Sequence, residues 1–176
     1  MKPLIFDATP LIYLGKINFI EKITHFPEEK YTPESVYNEV VVEGKKSGYS
    51  EVYLIEKIIT KGIINIKMPT NKQYLSHLKE NSKIHNGDAQ VLALASELYG
   101  IALLDDEEAR GMAEIEGIEH HGTIYLLLRM KKMGLLTKEE TINGLNEMLH
   151  NGWRCSTELY AEILKNLQYN IGLTQQ

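Results

Sequence analysis

The chain has 176 residues, 43% of them apolar and 24% charged, with a formal net charge of −5, the proportions of a soluble globular protein of one domain. Its single cysteine, Cys155, excludes an internal disulfide, and every apolar run falls short of the ~20 residues of a membrane helix. A cytoplasmic protein follows, since the apolar run ahead of Asp7 is also too short for a signal peptide.

In chain order, short apolar runs alternate with longer stretches of helical period, the pattern of a doubly wound sheet. Strands are expected at 3–6, 29–32, 63–67, 101–104 and 118–122. A helix opens at Pro10 with Leu11, Ile12 and Leu14 and carries its apolar face on through Ile17, Ile20 and Ile23. Pro33 suits the first turn of the next helix, with Val36 and Val40 on one side. Val52, Ile55 and Ile58/Ile59 mark a helix over 51–59 that Gly62 stops. After Asp88, the residues Val91, Leu94, Ala95 and Leu98 share a helix face that ends at Gly100. Five strands with intervening helices make an α/β fold, a three-layer αβα sandwich around a five-stranded parallel sheet.

The C-terminal third is helical. Thr123 to Lys132 ends in cationic residues that complement the helix dipole, and Gly134 stops it. Thr137-Lys138-Glu139-Glu140 is a capping-box pattern opening a helix that runs to His150. Asn151-Gly152 breaks that helix, and Ser156 or Thr157 caps a last one through Ile163 and Leu167. Residues 137–169 read as a helical hairpin appended to a single domain spanning 1–169, and 170–176 as a frayed tail.

Chemistry is concentrated in five acids. Asp7 closes the first apolar run, Glu39 sits on the helix after Pro33, Asp88 opens the helix after Gly87, and Asp105-Asp106 close the fourth strand. In an open parallel sheet, ligands bind outside the carboxyl ends of the strands, so acids placed there converge on one crevice. Crowded carboxylates raise each other's pKa, and a hard divalent cation with oxygen ligands holds them together ionised. Mg²⁺ or Mn²⁺ is the cation expected, and such sites serve phosphate chemistry. The helix dipole should keep Asp88 ionised. Taken singly, each acid has an ordinary reading: Asp7 and Asp88 as helix caps, Glu39 as a solvated carboxylate, the pair as a common turn; in the functional reading one member of the pair reaches the cation and the other caps the next helix. The acidic balance does not advertise a nucleic-acid binder, although two divalent cations would bring it to about −1 and themselves meet phosphate.

The run Phe6-Asp7-Ala8-Thr9-Pro10-Leu11-Ile12 resembles the opening of PIN domains, particularly a prokaryotic branch whose members begin Asp-Ala-Ser/Thr-Pro-Leu-Ile. Pro33-Glu34-Ser35-Val36-Tyr37-Asn38-Glu39-Val40, Asn86-Gly87-Asp88-Ala89-Gln90, Leu103-Leu104-Asp105-Asp106 through Arg110, and Gly122-Thr123 with Leu126-Leu127 are similar to further segments of that branch, in order, from residue 3 to about 165. The resemblance implies a metal-dependent ribonuclease with the first strand central. It also implies toxin relatives held in check by a small antitoxin protein, commonly as homodimers. Asp7, Glu39 and Asp88 fall on the family's first three acidic positions, and Asp88 replaces the commoner Glu of the branch. The fourth is Asp105 or Asp106. Other branches place it two residues after a strand-end Thr or Ser, and Leu104 in that place favours Asp106 while removing the hydroxyl.

Asp7, Glu39, Asp88 and Asp106 are thus the expected catalytic set, with Asp105 as a further candidate metal ligand. Thr9 and Arg110 are candidate substrate contacts, Arg110 with a salt bridge as its other reading. His120 and His121, adjacent on a strand, point to opposite faces and do not jointly chelate one ion easily. His85 reads as solvent-facing, Tyr13, Tyr53, Tyr74 and Tyr125 as packing, Cys155 beside Trp153 as packing, and residues 45–50 as an exposed loop. Three functions compete. The first is hydrolysis of RNA by in-line attack of water without a covalent intermediate. The second is a phosphatase of the haloacid-dehalogenase kind with Asp7 as nucleophile, against which stands Thr9 where such enzymes want a second Asp. The third is a non-catalytic PIN-fold module that binds nucleic acid or a partner.

Overall fold

Three consecutive apolar side chains without polar alternation need burial on both faces of a sheet. The computed structural model describes residues 1–80 and 84–169, with side chains through 167, and gives Leu4–Phe6 (β1) that environment, all three residues being fully buried. The other strands are Lys30–Thr32 (β2), Asn65–Ile66 (β3), Ile101–Leu103 (β4) and His120–His121 (β5). They form one five-stranded sheet in the order β3-β2-β1-β4-β5, every pairing parallel. Helices flank the sheet, giving the three-layer α/β sandwich expected. The edge strands contract to two residues, since a ladder paired on one side is easily shortened.

The chain leaves the central strand in one direction to build β2 and β3 and returns on the other side with β4 and β5. The order therefore reverses at β1/β4, and the crevice for a ligand lies at their carboxyl ends. Ile5 pairs with Ala102 and Phe6 with Leu103, and the Asp7 N–H extends that ladder to the Leu103 carbonyl at 3.2 Å. Thr32 Oγ1 donates to the Phe6 carbonyl at 2.9 Å in a buried setting, tying the end of β2 to the end of β1.

The helix after β1 spans Ala8–Lys16 (α1), starting two residues earlier than expected because Asp7 caps it. It also ends earlier. Asn18 takes a left-handed φ of 58°, its N–H bonds the Gly15 carbonyl and Phe19 N–H bonds the Leu14 carbonyl, a Schellman stop in which Asn serves. Ile20 and Ile23 are buried as anticipated, but from a separate 3₁₀ turn over Ile20–His25.

After β2, Pro33 caps Glu34–Tyr37 (α2), which runs into a π-helical stretch over Asn38–Glu43 and a last turn, Gly44–Lys46 (α3). Val52–Thr60 (α4) packs on α1 and stops at Gly62, φ 69°, as expected. Lys72–Glu80 (α5) is a helix without a clear sequence signal, since Leu78 is its one buried residue. Asn86–Leu98 (α6) is buried from Asp88 through Ala95 and packs on β1 and β4. Its left-handed stop falls on Tyr99, φ 50°, and not on Gly100. Gly100 is needed for another reason: a Cβ there would stand 2.8 Å from the Pro3 carbonyl oxygen.

Glu107–Ile115 (α7) joins β4 to β5, and Thr123–Lys132 (α8) follows. Contacts divide the described chain into two compact units, Met1–Leu126 and a second from Leu127. In the second, Thr137 and Glu140 form the expected capping box at the head of Lys138–His150 (α9), and Ser156 Oγ accepts from Leu159 N–H at the head of Thr157–Tyr169 (α10). The Tyr160 hydroxyl donates to Asn146 Oδ1 at 3.1 Å and links these two helices. The tail at 170–176 lies outside the described residues. No helix among the described residues is long and apolar enough to cross a membrane.

Candidate active site

Asp7 occupies the first position after β1, with extended backbone (φ −83°, ψ 174°) and its Oδ2 accepting from Thr9 N–H at 3.5 Å. Strand pairing and helix cap together fix the carboxylate at the mouth of the sheet, 7% exposed. Asp88, 5% exposed, sits in the first turn of α6, which begins at Asn86 rather than at Asp88 itself. Asp106 caps α7, its Oδ1 accepting from Ala109 N–H at 2.9 Å. Glu39 is exposed on the π-helical stretch. Such insertions re-aim side chains and recur at functional sites.

Gly87 shows how these elements meet. A Cβ built there would lie 3.8 Å from Asp7 Oδ1, 3.8 Å from Glu39 Oε2 and 3.6 Å from Val36 Cγ2. The ends of β1, α2 with its π extension, and α6 thus meet around Gly87, within van der Waals reach of its Cβ position. The result is a cleft of ≈ 530 Å³ lined by Asp7, Thr9, Glu39, Asp88 and Asp106, together with Ser35, His85 and Asn86.

Burial is the main influence on the acids. Removal from water pushes Asp7 from 3.8 up to about 7, the negative charge of Asp88 adds to this, and Glu39 adds less, against the backbone N–H bonds at Ala8 and Thr9. Asp88 rises from 3.8 to about 6, by burial first and then by the charge of Asp106, with His85 pulling the other way. Mutual repulsion is second to desolvation. The dipole of α6 does not hold Asp88 in the ordinary carboxylate range.

Asp105 turns away from the cleft. Its Oδ1 accepts from Thr123 N–H at 2.9 Å and its Oδ2 from the Thr123 hydroxyl. The expected division, one acid for a cation and the other for a cap, differs in detail: Asp106 both caps α7 and faces the cleft, while Asp105 fastens the start of α8 to the end of β4. Arg110 is exposed on α7 and does not line the cleft. His121 stacks on Tyr125 with ring centroids 4.1 Å apart, and the Tyr74 hydroxyl donates to Glu116. Tyr53, expected to pack, is 63% exposed with Lys45 Nζ 5.9 Å above its ring. His85 is exposed as expected, yet it also borders the carboxylates. Ser35, His85 and Asn86 carried no sign in the sequence, because a serine in a first helical turn and a loop histidine are common everywhere.

Among the described residues, no three His, Cys, Asp or Glu side chains are already gathered closely enough to grip a cation. The donor set nevertheless fits a hard one. It is all oxygen, two of its members are buried acids lifted by desolvation, and Ser35, another lining residue, has a buried Oγ with no hydrogen-bond partner among the described residues. A cation among Asp7, Glu39, Asp88 and Asp106 would relieve the desolvation that raises these pKa values.

A family model described as a PIN domain matches residues 3–169. No curated protein matches the chain. PIN domains are typically nucleases. With that match spanning both compact units and a parallel sheet centred on β1, the chain belongs to the PIN-domain family.

Proposed function

We propose that the protein is a Mg²⁺- or Mn²⁺-dependent ribonuclease that hydrolyses phosphodiester bonds of RNA in the cleft at the β1/β4 switch point. The observation that carries this reading is the gathering of Asp7, Glu39, Asp88 and Asp106 in the lining of one cleft, with Asp7 buried and raised to about 7. Those four residues would hold one or two cations, which when bound supply charge neutralisation for phosphate and an acidified water. Asp106 is preferred to Asp105 as the fourth ligand because both Asp105 oxygens are engaged by Thr123. Asp7, held by strand and cap, gives the set its rigid member. Glu39, on the exposed π turn, closes the opposite side. Thr9, which lines the cleft, would contact a phosphate oxygen.

The same reading takes the chain as one PIN domain over residues 1–169, with 137–169 as appended helices, in accord with a family match that spans both units. It also takes the protein as a cytoplasmic toxin of the prokaryotic branch, homodimeric and restrained by a small antitoxin protein. The phosphatase alternative lacks its second acid, since Thr9 stands there. A non-catalytic module is favoured by one observation, the absence of a gathered ligand trio among the described residues.

Cleavage of mixed-sequence single-stranded RNA with Mn²⁺, Mg²⁺ or EDTA, comparing wild type with Asp7→Asn, tests the proposal. Metal-dependent cleavage lost in the variant is the expected outcome. Equal inertness of two folded proteins across many RNAs would select the binding module.

A further inference from the structure

The carboxyl end of the outer strand β5 lies beside the carboxylate cleft. Leu103 pairs with His121, and Leu104 N–H bonds the His121 carbonyl at 2.8 Å. His121 therefore stands one strand spacing, about 4.8 Å, from the segment that runs on into Asp105 and Asp106. Helix α7 covers the same corner. Asp106 at its cap, Arg110 and Glu114 recur every four residues and share one face. Glu114 Oε1 is 3.9 Å from His120 Nε2, which lays that face along β5. Arg110, one turn nearer the cleft, thus falls beside His121, whose titration it influences.

Two features of this corner go beyond what the fold needs. Arg110 has Glu107 three residues before it and Glu114 four after, the spacings at which a helical arginine pairs on its own helix. Yet its guanidinium is exposed and makes no hydrogen bond or salt bridge among the described residues. His121 stacks on Tyr125 with the two rings 15° from parallel, and its side chain remains 25% exposed. Burial holds the His121 pKa below the ordinary value against the pull of Glu119, with His120 and Arg110 lowering it further, so the ring is neutral at pH 7. The acids nearest these rings are engaged: Glu119 Oε2 accepts from Lys2 Nζ at 2.6 Å, and both Asp105 oxygens accept from Thr123.

A guanidinium without a partner offers a fork to a phosphate, and neutral stacked rings offer a π-face to a base. Both together suit a single strand, whose bases are unpaired and can leave their neighbours, and not a duplex. We infer that Arg110 and the stacked His121–Tyr125 pair form a subsite for one nucleotide of single-stranded RNA outside the carboxylate cleft, the guanidinium taking the phosphate and the rings the base. The subsite rests on the ribonuclease reading, which supplies the strand, but makes no use of the cation. Arg110 is one helical turn, about 5.4 Å along the axis, from the cleft-lining Asp106, so a strand lying over the carboxylates continues onto it.

The test is fluorescence anisotropy of a short labelled single-stranded RNA of mixed sequence, titrated with the full chain in Ca²⁺ across a range of salt concentrations. Wild type, Arg110→Gln, Arg110→Lys, His121→Ala and His121→Phe are compared, with the melting temperature of each, and cutting of the same RNA is followed in Mn²⁺. Arg110→Gln is expected to bind more weakly and to flatten the slope of log affinity against log salt by about 0.7, while Arg110→Lys keeps the slope. His121→Ala should bind about fivefold more weakly or worse at unchanged slope, and His121→Phe should retain most of the affinity. Equal affinity and slope in every protein overturns the inference, and leaves the ribonuclease reading standing where the RNA is cut. Loss in Arg110→Gln with none in His121→Ala leaves a phosphate contact alone and overturns the nucleotide subsite. Equal loss in His121→Ala and His121→Phe shows that the ring only holds the fold and overturns it too. Wild type that binds no RNA also overturns the inference, and wild type that neither binds nor cuts removes the ribonuclease reading with it.

Discussion

Replacing Asp7 by Asn should stabilise the metal-free protein at alkaline pH and leave it unchanged in acid. The folded carboxyl titrates at about 7 against a reference of 3.8, so between those limits the folded state binds more protons than the unfolded one. Stability from this group is therefore present at low pH and lost as pH rises through the window from 3.8 to about 7. At about 1.4 kcal/mol per pH unit, the ionised carboxylate opposes folding by roughly 4 kcal/mol, an upper figure because Asp88 shares the repulsion. An amide has nearly the same shape, can still accept from Thr9 N–H, and carries no charge. Urea unfolding in EDTA, for both proteins at about pH 4 and about pH 8, reads the difference, since titrating groups that do not interact with Asp7 cancel. Expected is agreement within about 1 kcal/mol in acid and a variant more stable by about 2–4 kcal/mol in alkali. A variant equally or less stable at alkaline pH would mean that Asp7 is solvated or paired, and the desolvation argument for a cation would fall with it.

Saturating Mn²⁺ should narrow that gap: at one hundred times Kd, binding adds about 2.7 kcal/mol to wild type and far less to Asp7→Asn, measurable as a shift in melting temperature. Asp105→Ala should destabilise by about 1–3 kcal/mol through loss of both Thr123 bonds while leaving Mn²⁺ affinity intact; a protein of unchanged stability with lost Mn²⁺ binding would reinstate Asp105 as a ligand. Tyr99→Gly should stabilise by about 0.5–1 kcal/mol, because a non-glycine at φ 50° is strained and the ring is 84% exposed. Chemical unfolding checks this, and a less stable variant would show that the ring makes contacts worth more than the strain.

Local rules carried the sequence far into the fold. Apolar runs such as Leu4–Phe6 and Ile101–Leu103, separated by helical periods, were enough to specify a parallel α/β sandwich, because a strand buried on both faces has no other composition. Gly62 and Gly134 stop their helices where expected, and Thr137 with Glu140 forms the expected capping box, since these signals act across one turn of chain. Asn18 and Tyr99 were hidden stops: left-handed residues without glycine are imposed by the packing on either side and not by propensity. The π turn that carries Glu39 is hidden for the same reason.

The sequence by itself determined which acids stand at strand and helix ends, because chain position alone places them there. Only the tertiary structure decided what each one does. Asp105 and Asp106 are chemically identical neighbours, separated in role by a residue eighteen positions away, Thr123, which takes both oxygens of one and none of the other. Asp7 and Asp88 are ordinary helix-start aspartates until the sheet and α6 exclude water from them, and that exclusion, set by contacts distant along the chain, lifts their pKa values.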